Sequence, residues 1–154
     1  FSLNVSAVGM IGLDIATLPG AGAAGGFGAG AVAFLKGRLV QGVAAVAEAC
    51  NLRDRLVGAD WVVTGEGRFD RQSLQGKVVS GILAAAGQAG NVPVAVLAGS
   101  VAVEAPEWQQ AGVKWVESTA LPGMADSEGI RRGRELLGAA AERFARGLTR
   151  NGGR

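Results

Sequence analysis

The chain has 154 residues, 49% apolar and 18% charged, which suits one globular domain of ordinary size and excludes wholesale disorder. Its net charge of +2 comes from scattered basic residues and argues against a nucleic-acid surface, which needs a basic stripe interleaved with aromatics. With no histidine and one cysteine, Ser-His and Cys-His nucleophile pairs, the usual zinc ligand and an internal disulfide are excluded, leaving carboxylates, lysine, arginine and backbone amides.

No apolar run of spanning bulk and no basic start followed by an apolar block is present. The expectation is therefore no membrane segment, no leader and no nucleic-acid partner, in a cytoplasmic setting that also suits a lone thiol. Residues 1–18 form an unassigned lead-in, within which Phe1 to Ile11 offers no firm pattern. Residues 19–58 follow as a Gly/Ala-rich helical segment.

That segment opens on "PGAGAAGGFGAGA" (Pro19 to Ala31), where Gly20, Gly22 and Gly25 fit G-x-G-x-x-G. A dinucleotide fingerprint should follow directly on an apolar strand and have an acid about 20 positions further on. Here Pro19 precedes it and Val40 stands where the acid should be, so the context fails. Pro19 suits the first turn of a helix, because its φ is already helical and it has no N–H to orphan. Glycine inside a helix costs about 1 kcal/mol relative to alanine, so Gly22, Gly25, Gly26, Gly28 and Gly30 need a reason. Two remain open: close approach of a neighbouring backbone, or free amides at the helix start that hold an anion. Phe27, Ala31, Phe34 and Leu35 share a helical face. Leu39, Val43, Val46 and Cys50 repeat the spacing, which makes Cys50 a core residue.

Residues 59–150 alternate strands with helices. "ADWVVTG" (Ala59 to Gly65) reads as a short buried strand, and the turn-rich "EGRFDRQSLQG" leads to a helix with the stripe Val79, Ile82, Leu83 and Ala86. "VPVAVLAG" (Val92 to Gly99) is a second strand. A helical turn follows near Pro106 to Ala111, and "VKWVES" is a third strand. The last helix starts near Ser127, with Asp126 as N-cap and Ile130, Leu137, Ala141, Phe144 and Leu148 on its apolar face; residues 151–154 are a tail. The pattern predicts an α/β fold, a parallel sheet with helices on both faces. Three strands are few for such a sheet. A second copy of the chain or the rest of a longer polypeptide should complete it, and the absence of an initiating methionine favours the longer polypeptide.

The sharpest cluster is "TGEGRFDRQSLQGK" (Thr64 to Lys77). It places Glu66 between Gly65 and Gly67 just past the carboxyl end of a strand, where open α/β sheets put ligands. Glu66 and Asp70 could hold Mg²⁺, or one could do so while the other accepts a proton from an attacking hydroxyl. Lys77 could neutralise phosphate charge, next to a helix N-terminus opened by Gly76. It is not a Walker A loop, since Arg71 and Val78 occupy positions that require Gly and Ser or Thr. The alternative is a solvated turn of Glu66, Arg68 and Asp70, with Ser73 capping the helix.

"PGAGAAGGFGAGAVAFL", "ADWVVTGEGRFDRQSLQGK" and "VPVAVLAGS", in this order and separation, resemble three consecutive signatures from the C-terminal part of bacterial glycerate kinases, the type usually producing 2-phosphoglycerate. "GLDIATLPG" fits the approach to the first. The resemblance covers about Gly12 to Leu148 and leaves Phe1 to Ile11 unmatched. It implies a kinase of two α/β domains, one flavodoxin-like and built from both ends of the chain, that binds ATP with Mg²⁺ and phosphorylates a glycerate hydroxyl in the cleft between domains. Upstream family motifs, including an acidic "DGGEG"-like turn, do not occur here, so the chain alone is expected to be inactive and to need the missing N-terminal part. Carried over by position, Glu66, Asp70 and Lys77 are the catalytic candidates, the first two also metal ligands. Gly65, Gly67, Arg68, Gln72 and Ser73, and then Gly20, Gly22, Gly25 and Gly26, are substrate or phosphate contacts. Gly99 and Ser100 rank lower as backbone donors. The alternative function is a non-catalytic module that binds a nucleotide or an organic acid.

Overall fold

The computed structural model describes residue 15, residues 17–75 and residues 77–151. The readings of residues 1–11 and of Gly76 as part of a helix start lie outside these. The chain divides into two compact units, Phe1–Gly42 and Val43–Arg154.

In the first unit the glycines set the path of the backbone. Ala21 N–H donates to the Leu18 carbonyl at 3.0 Å across Pro19 and Gly20, whose φ of +86° is what the third position of a type II turn demands. Pro19 therefore belongs to a turn, correcting its expected place at a helix start. Helix α1 (Ala23–Leu35) is interrupted at once: Ala24, Gly25 and Gly26 have φ of 50°, 68° and 96°, and right-handed geometry resumes only at Phe27. This left-handed stretch turns the chain back, so that Ala29 N–H bonds the Ala21 carbonyl at 3.1 Å. Gly28 is buried there, and a Cβ on it would lie 2.8 Å from the Gly20 carbonyl oxygen. Leu39, expected in a helical stripe, precedes the next helix and packs on Gly20 and Gly28 instead. Phe27, Phe34 and Leu35 remain 72%, 79% and 74% exposed, so their shared face meets no core among the described residues.

The second unit contains α2 (Gly42–Ala49, whose first residue belongs to the first unit), α3 (Leu52–Leu56), β1 (Val62–Phe69), α4 (Val78–Gln88) and β2 (Val94–Val101). After them come α5 (Ala105–Gln110), β3 (Val113–Ser118), α6 (Asp126–Arg131) and α7 (Gly133–Asn151). Cys50, just after α2, is exposed rather than in the core. The strands form a parallel sheet in the order β1-β2-β3, the α/β class the alternating pattern predicts.

Successive side chains of a strand point to opposite faces, and β2 supplies a core on each. Val94, Val96 and Ala98 meet α4 through Val79, Ala85 and Ala86. Ala95 and Leu97 meet Phe144 of α7, where Trp61 and Trp115 stack edge-on at centroid distances of 5.3 and 5.6 Å. Helices thus cover both faces of the sheet.

Strand β1 runs four residues past its expected end at Gly65. Its partners explain why: Gly65, Glu66, Arg68 and Phe69 pair with Leu97, Ala98, Ser100 and Val101. Phe69 is fully buried among Val79, Val96, Ala98, Val103 and Val113. A Cβ at Gly99 would collide with the Gly67 carbonyl oxygen, so this close approach of two strands requires glycine at 99.

The C-terminal helix also differs from its expected pattern. Asp126 is the first helical residue of α6 and Ala125 is the N-cap, so no carboxylate caps this helix. A break at Arg132 separates α6 from α7. The buried stripe of α7 is Leu136, Ala140 and Phe144, with Leu148 packed beside it, whereas Ile130 and Leu137 are 82% and 48% exposed.

Candidate functional site

An open cavity of about 700 Å³ lies in the second unit at the carboxyl ends of the strands, the edge where parallel α/β sheets accommodate ligands. Its strand side is unusually bare, with Gly65 and Gly67 of β1 and Leu97 and Gly99 of β2. A Cβ at Gly67 would meet nothing within 4 Å, and one at Gly65 would make ordinary contact at 3.6 Å with the Leu97 carbonyl. Glu66, Arg68 and Ser100 bring polar groups to the same lining. Thr119 and Ala120 follow β3; their amides donate to Ala98 and Gly99, which holds the loop on the sheet. The helical side consists of Met124, Asp126 and Ile130, then Gly133 and Leu137.

The expected site residues divide into three groups. Gly65, Glu66, Gly67 and Arg68 line the cavity together, within a strand rather than in a loop beyond it.

Asp70, Gln72, Ser73 and Lys77 form a bonded turn outside the lining. Asp70 Oδ1 accepts from the amides of Gln72 at 2.8 Å and Ser73 at 3.3 Å, and Oδ2 lies 3.8 Å from Arg68 Nε. Ser73, 2% exposed, donates its hydroxyl to the Arg68 carbonyl at 3.3 Å; it braces the turn, and the N-cap of α4 is Lys77 instead. Lys77 Nζ donates to Gln72 Oε1 at 3.1 Å.

The third group, Gly20, Gly22, Gly25 and Gly26, lies in the other unit. Positive φ accounts for Gly20, Gly25 and Gly26, while a side chain at Gly22 would meet nothing within 4 Å and nothing in the structure explains its glycine.

Three charge clusters lie outside the lining, in the same unit. Arg71 grips Glu107 of α5 with two bonds of 2.5 and 3.0 Å, and these hold the Glu107 carboxyl below its ordinary value of 4.5. Arg132, at the break between α6 and α7, bonds Glu128 at 2.9 Å and grips Glu135 at 2.7 and 3.0 Å, which holds the Glu135 carboxyl down and pushes its own guanidinium up. Arg143 of α7 donates to Glu117 and, at 3.0 Å, to the Ser118 carbonyl, tying the end of β3 beside Thr119. Among the described residues no group of three or more acidic or cysteine side chains is arranged to hold a metal ion, and no helix is long and apolar enough to cross a membrane.

A model of the glycerate kinase family matches residues 3–149. The chain belongs to the glycerate kinase family. The match takes in most of Phe1 to Ile11, correcting the expectation that this stretch falls outside the resemblance. A glycerate kinase of Halalkalibacterium halodurans is 41% identical over 135 residues, covering 88% of this chain and 35% of that one. The glycerate 2-kinase of Escherichia coli K12 is 41% identical over 106 residues, covering 69% of this chain and 28% of its own. A solved structure assigned as a glycerate kinase 2 of Salmonella typhimurium LT2 superimposes with a TM-score of 0.65 at 32% identity, covering 94% of this chain and 36% of that one. The chain thus spans about a third of the length of these relatives.

Motif reading missed several lining residues: Thr119, Ala120, Met124, Asp126, Ile130 and Leu137. Spacing gave no signal for the last two: Ile130, Leu137 and Phe144 recur at intervals of seven, one helical face, and only the break at Arg132 separates Ile130 from the helix that carries Phe144.

Proposed function

We propose that this chain carries part of the site of an ATP-dependent kinase that transfers the γ-phosphoryl group to a hydroxyl of glycerate, with 2-phosphoglycerate as product. The carrying observation is Glu66 on the wall of the cavity, flanked by two glycines at the carboxyl end of a parallel strand, in a member of the glycerate kinase family. Phosphoryl transfer asks a protein for positioning and charge neutralisation rather than for a covalent nucleophile. A chain without histidine can meet that demand.

In this reading Glu66 accepts the proton of the attacking hydroxyl or holds Mg²⁺, and Arg68 grips a carboxylate or phosphate with its forked donors. Lys77, exposed beside Gln72, neutralises phosphate. Asp70, whose Oδ1 is engaged by two amides, acts first by shaping the turn and presenting Gln72 and Ser73. Gly65 and Gly67 let a ligand approach the backbone, and the loop from Gly20 to Gly26 is the second candidate for anion contact.

Among the described residues the lining carries two carboxylates, Glu66 and Asp126, a donor set that fits magnesium shared with phosphate oxygens. Mg²⁺ in kinases is held by one or two carboxylates plus phosphate oxygens and water, so Glu66 would suffice without an all-protein cage. Bound there, the ion would neutralise charge on the phosphates. The same reading places the rest of the catalytic wall in the part of the family's length that this chain does not span.

Glycerate-dependent formation of ADP, measured in a family-length protein carrying these residues, tests the proposal. Glu66→Gln should lower turnover by about 10²- to 10⁴-fold while leaving the melting transition in place. Unchanged turnover would refute the role of Glu66. Absence of any glycerate-dependent ADP formation from the parent protein would refute the kinase reading.

A further inference from the structure

The cavity is much larger than a three-carbon acid requires, and its helical side is apolar. Sites of about 300–1,000 Å³ hold ligands of nucleoside size or more, and this one is about 700 Å³. Met124, Ile130 and Leu137 supply that side, and Ile130 and Leu137 are 82% and 48% exposed. The strands bring Gly65, Gly67 and Gly99, positions without side chains of their own, to the same lining. The charged groups of the lining are Glu66, Asp126 and Arg68, two acids against one base. That balance disfavours seating a small anion in the middle of the cavity. It suits an uncharged nucleoside, whose hydroxyl and amino donors the carboxylates accept.

We propose that Met124, Ile130 and Leu137, which share the lining with the glycines at 65, 67 and 99, form the subsite for the purine ring of the nucleotide, and that the organic acid does not bind against this apolar wall. The assignment rests on the kinase reading and adds to it which of the two substrates the cavity takes. The nucleoside lies along the wall, and the phosphates leave it toward Arg68 and Ser100.

The test uses the chain as it is. The methyl signals of Met124 and Ile130, assigned through Met124→Leu and Ile130→Val, are followed by NMR during titration with adenosine, which carries no phosphate, and separately with glycerate. Adenosine should move both signals saturably and glycerate should leave them in place. Leu137→Glu should weaken adenosine by about tenfold, about 1.4 kcal/mol. Ile130→Glu, at a side chain more exposed still, repeats the test without touching the fold.

Glycerate moving these methyls, or adenosine leaving them unmoved at about 10 mM, would overturn the assignment. So would full adenosine affinity in both charged variants. None of these outcomes bears on glycerate-dependent ADP formation, so the subsite can fail while the kinase reading stands.

Discussion

Two glycines a few residues apart in pairing, Gly65 and Gly99, should respond in opposite directions to the same added methyl group. At Gly99 a Cβ would collide with the Gly67 carbonyl oxygen, a backbone atom held by the sheet, so either β1 or β2 must shift. Overpacking of this kind costs about 1–3 kcal/mol. At Gly65 the new Cβ would sit 3.6 Å from the Leu97 carbonyl oxygen, in ordinary contact. Neither glycine has a positive φ, so the backbone conformation itself admits alanine at both, and alanine restricts the unfolded chain, a gain of about 0.4–1 kcal/mol where no clash intervenes. Each kcal/mol moves the melting temperature of a chain of this size by roughly 2–4 °C. Gly99→Ala should therefore melt about 2–10 °C below the parent and Gly65→Ala at or slightly above it. Thermal unfolding followed by circular dichroism at fixed scan rate reads both. If the two variants melt together, the close approach of the strands does not restrict position 99 and the reasoning is wrong.

Phe69→Ala should cost about 3–5 kcal/mol in urea unfolding, because it empties the centre of the core shared by α4 and β2; a cost under 1 kcal/mol would mean that the end of β1 is not anchored there. Glu107 and Glu135 are both held below their ordinary value of 4.5 by arginine partners, so each favours the folded state above about pH 4.5 and loses that contribution as pH falls through its depressed folded value. Stability measured from pH 6 to pH 3 should fall less steeply in Arg71→Gln and Arg132→Gln than in the parent, and parallel curves would count against both pairs.

The alternation of strands and helices in residues 59–150 was legible because a buried parallel strand and an amphipathic helix leave different periods. β2, β3 and α4 come out within a few residues of their expected places. The end of β1 was not legible. Gly65, Gly67 and Arg68 carry no apolar signal, and only pairing with Leu97 to Val101 makes them a strand. Pro19 was misplaced for a related reason, since proline suits both the first turn of a helix and the second position of a β-turn, and Gly20's φ decides between them. Cys50 fits a helical period by spacing, yet spacing cannot tell which face of a short helix is covered. Gly65, Glu66, Gly67 and Arg68, singled out by residue type, line the cavity, whereas Asp126 was read as a cap and Ile130 and Leu137 as core. Their membership of the lining depends on the break at Arg132, which no local pattern announces.

The bend from Phe69 to Gln75 is braced from within: Asp70 saturates two amides, Ser73 reaches back to the Arg68 carbonyl, and Arg71 is clasped to a different helix. Such a segment keeps its shape whether or not anything occupies the neighbouring hollow. Little conformational freedom is then surrendered when a guest arrives, and affinity that a floppy loop would lose to ordering is retained.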